Sequence, residues 1–177
     1  MKLPPLPFLK QKEKKEYFLA LVLRNEKANA VFFEELEGKI SRCAGSVLYT
    51  PAKSETDYND PSFPFKIPRD RILIPTDKDS NPFEWATRCI HKFKNDSVCV
   101  FVPGTRFDRY GTRHGRGVGW YDRFFSKIPP HWLRIGVIDS KQLQHTRLMR
   151  QEWDEAVDWI IVWNDFSWST YKAPSRL

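Results

Sequence analysis

The chain has 177 residues, 41% of them hydrophobic and 15% aromatic, with 29 Lys and Arg against 22 Asp and Glu for a formal net charge of +7. That length suits one domain, the composition is too apolar for a disordered chain, and no run of about 18 apolar residues exists to cross a membrane. The positive surplus suits an anionic partner, nucleic acid or a phosphorylated small molecule, and composition alone does not choose between them.

Residues 1–9 are proline-rich and read as an extended arm, without the long apolar core of a secretory leader. Residues 10–177 read as a single α/β domain. Lys10, Lys12, Lys14 and Lys15 precede Tyr17, Phe18, Leu21 and Val22 at helical spacing. A second helix carries Val31, Phe32, Leu36 and Ile40 and ends near Gly45. Ser46–Thr50 is a short buried strand stopped by Pro51, Asp57–Pro68 a polar loop, and Arg71–Pro75 a second strand. Pro82–Phe93 is a helix with proline in its first turn, and Val98–Val102 a third, almost wholly apolar strand. An aromatic helix near Trp120–Ser126 and strands at Leu133–Ile138 and Trp159–Trp163 complete the pattern. Short apolar strands alternating with helices predict a three-layer α/β sandwich, with a mainly parallel sheet and helices on both faces.

Cys43, Cys89 and Cys99 are odd in number and widely spaced, which fits neither a disulfide framework nor a zinc knuckle. They are expected as free, buried thiols in a reducing cytoplasm. His91, His131 and His145 stand alone, without metal-ligand spacing. Trp153, Trp159, Trp163 and Trp168 are expected to pack the edge of the core.

The stretch from Pro103 to Arg123 carries the chemistry. It follows a buried strand, and ligands of open α/β sheets bind beyond the carboxyl ends of strands. Gly115, Gly117 and Gly119 alternate, which lets backbone N–H groups turn toward one point and lets a phosphate approach closely. The following helix would add its free N–H groups. Arg113, Arg116 and Arg123 offer guanidinium forks for phosphate oxygens, and Asp122 is a hard oxygen ligand where a Mg²⁺ bridging phosphates needs one. The bland alternative is a glycine-rich turn whose arginines face water. Neither a Walker A ending nor the dinucleotide GxGxxG pattern is present.

This run resembles the signature of the 5-formyltetrahydrofolate cyclo-ligase family, P-G-x-x-F-D-x-x-G-x-R-L-G-x-G-x-G-Y-Y-D. The matching residues are Pro103, Gly104, Phe107, Asp108, Gly111, Arg113, Gly115, Gly117, Gly119, Tyr121 and Asp122. Weaker echoes lie in Glu55 after the first strand, in Ile74-Pro75, in Asp154 and Asp158 before the last strand, and in Lys10 with Lys14.

The resemblance implies an enzyme that uses ATP and Mg²⁺ to convert 5-formyltetrahydrofolate to 5,10-methenyltetrahydrofolate. It implies ATP contacts at Lys10, Lys14 and the run Arg113, His114, Gly115, Arg116, Gly117, Val118, Gly119, Trp120 and Tyr121. Asp122 and Asp154 would hold the metal, Glu55 and Trp120 the folate, and Arg116, Trp120 and Tyr121 would act in catalysis. The partners are then reduced folate and ATP, with nucleic acid disfavoured, no membrane, and a monomer favoured. Three positions depart from the signature: His114 replaces Leu, Val118 replaces Gly or Lys, and Trp120 replaces Tyr. Val118 stiffens the loop, and Trp120 offers only an indole N–H where a phenol could also accept. A Gly-Ile-x-Glu-Pro segment of the family is also missing. Two other readings stand beside the enzyme: a relative that binds nucleotide or folate with little turnover, and a basic nucleic-acid-binding protein that stacks bases on its aromatics.

Overall fold

The computed structural model describes residues 29–53, 55–75, 80–115 and 119–174. The expected proline-rich arm, the expected helix with Lys10 and Lys14, and Arg116, Gly117 and Val118 lie outside the described residues.

Residues 29–41 are helical (α1). There follow β1 (Gly45–Tyr49), β2 (Arg71–Ile74), α2 (Pro82–Phe93), β3 (Val98–Pro103), β4 (Arg106–Asp108) and β5 (Arg113–His114). The chain continues through α3 (Trp120–Phe125), β6 (Leu133–Asp139), β7 (Leu143–Gln144), β8 (Trp159–Trp163) and β9 (Trp168–Lys172). The local reasons are plain in α2. Asn81 caps it by accepting from the Phe83 N–H at 3.0 Å, and Pro82 sits where no donor is needed. Ala86, Cys89 and Phe93 then fall on one buried stripe.

The main sheet has the order β2-β1-β3-β6-β8-β9. Its first five strands are mutually parallel, and β9 pairs antiparallel with β8 along Trp159–Trp163. Alternate side chains of the inner strands serve two cores. Val98, Val100 and Val102 of β3 pack with Phe93, Phe124, Phe125 and Trp132 on the face covered by α2 and α3. Cys99 and Phe101 pack with Leu36 and Ile40 of α1 on the other face. Strands buried on both sides need apolar residues at every position, which is why β3 and β8 read as continuous apolar runs. Cys43, Cys89 and Cys99 are free, and burial pushes the Cys89 thiol up to about 12.

Three expectations need correction. The loop Asp57–Pro68 is not simply polar: it buries Tyr58 and Phe65 against the α1 face and completes that core. The tail forms β9, whose partner β8 could not be identified from local pattern. The stretch after β3 is no open loop, because β4 pairs with β5 antiparallel and with β7 parallel in a small second sheet.

That second sheet is fastened to the first by Phe107, which is fully buried. Its ring occupies the space that a Cβ at Gly104 or at Gly136 would need, with nearest approaches of 2.5 and 2.7 Å. Gly136→Ala therefore overpacks the centre of β6. We expect a loss of about 1–3 kcal/mol in urea unfolding, the usual range for forcing a methyl into a packed core. An unchanged midpoint would mean that Phe107 yields freely.

Candidate active site

From β1 the chain runs outward to β2, then returns to build β3 on the opposite side of β1. The strand order reverses between β1 and β3, and such switch points open a crevice at the carboxyl ends. A cavity of about 580 Å³ lies there. Tyr49 at the end of β1, Glu55, the Arg113–Gly115 edge, the Gly119–Asp122 turn and Asp154 all line it.

The Pro103–Arg123 signature divides into two sets. Phe107, Asp108 and Gly111 are structural. Asp108 is fully buried and accepts from the N–H groups of Tyr110 (2.9 Å), Thr112 (2.9 Å) and Leu148 (2.8 Å). Gly111 has φ +85°, and its carbonyl accepts from the Val157 N–H at 3.0 Å. A side chain there would be strained and would strike the Val157 backbone. Arg113, His114, Gly115, Gly119, Trp120, Tyr121 and Asp122 form the second set and face the cavity.

The Arg113 Nε donates to the Pro103 carbonyl at 3.1 Å, and its guanidinium lies 4.0 Å from the centre of the Tyr121 ring. A Cβ at Gly115 would come within 2.6 Å of that guanidinium. Glycine is thus what lets the arginine lie across the loop. His114 also reaches the cavity, but its Nε2 donates to the Met149 carbonyl at 2.9 Å and ties the loop to the 149–154 segment. Arg123 is exposed, bonds back to the Gly119 carbonyl and lines a neighbouring hollow rather than the main cavity. With only six residues, α3 has little dipole to contribute.

Trp120 and Tyr121 form the aromatic wall with Tyr49, at centroid separations of 4.8 to 5.4 Å. The Trp120 indole N–H donates to the Ser80 carbonyl and hydroxyl at 2.9 and 3.1 Å, so the residue offers the cavity its ring. The phenol of Tyr121 is buried and has no hydrogen-bond partner among the described residues. Burial holds its pKa well above the ordinary phenol value, opposed in part by Arg113. At neutral pH it is a protonated donor without an acceptor.

Asp122 and Asp154 both face the cavity. Asp122 Oδ1 accepts from the Glu155 N–H, and Asp154 Oδ2 from the Gln151 N–H. Burial raises the pKa of Asp122 above the ordinary carboxylate value; the Glu155 N–H opposes this, and the charge of Asp154 adds to it. Among the described residues no group of three His, Cys, Asp or Glu side chains gathers to hold a metal. Two carboxylates with room beside them suit Mg²⁺, which keeps waters and takes remaining ligands from substrate phosphates. Glu55 Oε2 accepts from the Ala52 N–H at 2.8 Å, which fixes the loop after β1 at the cavity.

Asp158 has a different role from Asp154. Its Oδ2 accepts from the Arg134 N–H at 2.9 Å and registers β8 against β6. Behind the cavity, the Arg134 guanidinium is 3% exposed, pairs with Glu155 at 2.6 Å and donates to the Phe125 carbonyl at 3.1 Å. It binds the end of α3 to the segment that carries Asp154. Sequence reasoning passed over Tyr49, Arg106, Met149, Gln151 and Trp153, which also line the cavity. Tyr49 was discoverable as the last residue of β1, the strand before the switch. Trp153 does not pack the core edge as expected: it is 68% exposed.

The fold and cavity define a parallel α/β protein with an anion-suited site at its switch point. Residues 84–163, from α2 to the end of β8, match the sequence model of the 5-formyltetrahydrofolate cyclo-ligase family. The 5-formyltetrahydrofolate cyclo-ligase of Mycoplasma genitalium is 28% identical over 116 residues, covering 64% of this chain and 69% of the relative. That of Mycoplasma pneumoniae is 28% identical over 125 residues, covering 64% and 70%. A solved 5,10-methenyltetrahydrofolate synthetase from Mycoplasma pneumoniae aligns with 88% of each chain at 18% identity and a TM-score of 0.48.

Two outcomes test this geometry. Because the folded chain holds a proton on Asp122 more readily than the unfolded chain, its ionisation lowers stability as pH rises above the ordinary carboxylate value. Asp122→Asn should therefore unfold at a higher temperature than wild type at neutral pH without divalent cations. The gap should close in acid; a lower melting temperature for the variant would contradict the burial argument. Arg134→Ala should cost about 2–3 kcal/mol in chemical denaturation, below the range for fully buried pairs because Glu155 is one-third exposed.

Proposed function

We propose that the chain is a 5-formyltetrahydrofolate cyclo-ligase, closing 5-formyltetrahydrofolate to 5,10-methenyltetrahydrofolate while ATP becomes ADP and phosphate. One observation carries the reading. Arg113, Gly115, Gly119, Tyr121 and Asp122 of the signature meet Glu55 and Asp154, from distant parts of the chain, in one cavity at the switch point.

The reaction passes the γ-phosphoryl group to the formyl oxygen. The second folate nitrogen then attacks the activated formyl carbon and loses its proton, and phosphate departs with the oxygen. Such transfer needs positioning and charge neutralisation more than a protein nucleophile. Arg113 is held by Pro103 and the Tyr121 ring in a fixed direction, so its charge is in place before the phosphate arrives. The Gly115 and Gly119 backbone admits the phosphates closely. Asp122 and Asp154 would hold Mg²⁺, which would supply positive charge to the phosphate oxygens. Trp120 and Tyr49 wall the pterin, and Glu55 contacts its polar edge. The Tyr121 phenol, protonated and without another acceptor among the described residues, donates to the oxygen where charge develops. Lys10, Lys14, His114, Arg116, Gly117 and Val118 complete the nucleotide contacts in this reading, with Arg116 acting in catalysis beside Tyr121. The protein works as a monomer on small molecules of the cytoplasm.

The test is direct. Purified protein with Mg-ATP and 5-formyltetrahydrofolate should produce the near-ultraviolet absorbance of the methenyl product. Asp122→Ala should abolish cation-dependent turnover with the fold intact by circular dichroism. Arg113→Met should lower kcat by about a hundredfold, the scale for removing one preorganised charge-stabilising donor. ATP binding without product at high enzyme concentration would instead mark a binding protein of the same family.

A further inference from the structure

Two thiols that the cavity does not use are brought together beneath α1. Cys43 follows the end of that helix, and Cys99 is the second residue of β3. The turn from α1 into β1 runs beside the start of β3: the Ala44 N–H donates to the Ser97 carbonyl at 2.8 Å, and Ser46 is the register partner of Cys99. Both sulfurs rest on this turn. The Cys43 Sγ donates to the Lys39 carbonyl at 3.4 Å, and the Cys99 Sγ to the Gly45 carbonyl at 3.6 Å. Cys99 is fully buried in the core under α1, and Cys43 packs against the same cluster. Cys89 lies on α2, in the core of the opposite face, with the sheet between.

The pair is asymmetric. Cys43 is half-buried, so a small solute reaches it, whereas Cys99 and Cys89 are sealed. The Cys99 thiol, as hydrogen-bond donor, favours the thiolate of Cys43; burial opposes this, and the Arg42 charge adds to it. Cys99 is held protonated first by Cys43 and then by burial. A thiolate is the form that attacks a peroxide, so the accessible sulfur is also the one disposed to react.

We infer that Cys43 and Cys99 are a dithiol oxidised by hydroperoxides, joined on oxidation by a disulfide that ties the end of α1 to β3. The inference stands apart from the cyclo-ligase reading. The Cys43 thiolate attacks one oxygen of the hydroperoxide. The S–O bond forms, the O–O bond breaks, and the other oxygen leaves, protonated, as alcohol or water. Cys43 is then a sulfenic acid, oxidised by two electrons, and the peroxide is reduced by two. This step removes the sulfur anion that held Cys99 protonated. The Cys99 sulfur gives up its proton and attacks the Cys43 sulfur. The S–S bond forms, and the S–O bond breaks with loss of water.

The experiment treats the full chain with hydrogen peroxide, alkylates the remaining thiols in denaturant, and maps the peptides by mass spectrometry without reductant. One peptide pair should be linked through Cys43 and Cys99, and Cys89 should be alkylated. The melting temperature should rise by on the order of 5–10 °C, as expected for a cross-link closing a long stretch of chain, and dithiothreitol should reverse both changes. Cys89→Ala should behave as wild type, and Cys43→Ser should form no link. In Cys99→Ala, dimedone should capture the sulfenic acid on Cys43. Overoxidation of Cys43 in the wild type with Cys99 still free overturns the inference, as does a link to Cys89 or between two chains. A melting temperature that falls on oxidation overturns the fit of the bond to the native fold.

Discussion

A single buried carboxylate organises the whole site. Asp108 is fully buried, and it is tolerated there because three backbone N–H groups converge on it. Two of those donors, on Tyr110 and Thr112, shape the turn between β4 and β5. The third, on Leu148, lies forty residues on and begins the segment that leads to Asp154. One side chain therefore sets the spacing between the two walls of the cavity. Phe107 beside it seats the same turn on the main sheet, against Gly104 and Gly136.

Arg134 performs the corresponding task from behind. It rises from β6 in the centre of the sheet and joins the end of α3 to Glu155. The Glu155 N–H in turn orients Asp122. Asp122 and Asp154 are thus held by backbone N–H groups rather than by arginine or lysine side chains. Each keeps coordinating capacity, and a cation between them would relieve their repulsion. The same logic explains Tyr121, whose buried hydroxyl has no partner among the described residues and lies beside an arginine that would steady an anion. Buried polar groups without partners are costly, and their retention at a cavity fits a site completed by its ligand.

The positive surplus acquires a local meaning. Arg106 and Arg113 face the cavity, while Arg123 faces the adjoining hollow and Arg134 is internal and paired. Only part of the cluster that made the loop conspicuous is turned toward the proposed phosphates. Signature residues behave similarly: Phe107, Asp108 and Gly111 recur in the motif for what they do to the backbone, and Arg113, Gly115, Tyr121 and Asp122 for what they offer the cavity. A linear pattern does not distinguish these roles, because a buried carboxylate and a facing one are the same letter.

The sequence by itself determined most of the elements. Apolar runs bounded by Pro and Gly placed β1, β2, β3, β6 and β8, and Asn81-Pro82 with an apolar stripe placed α2, because these signals are local and read from neighbouring residues. It also identified the signature and the residues most exposed to chemistry. Only the tertiary structure decided the rest. Strands β4, β5, β7 and β9 are too short or too polar to announce themselves, and exist because a partner distant in the chain completes their hydrogen bonds. The separation of Asp154, in the cavity, from Asp158, in the sheet, follows from where β8 pairs with β6. The exposure of Trp153 follows from a turn closed by Arg150 and Asp154. Side-chain direction is fixed by non-local packing, and it alone turns a list of suitable residues into a site.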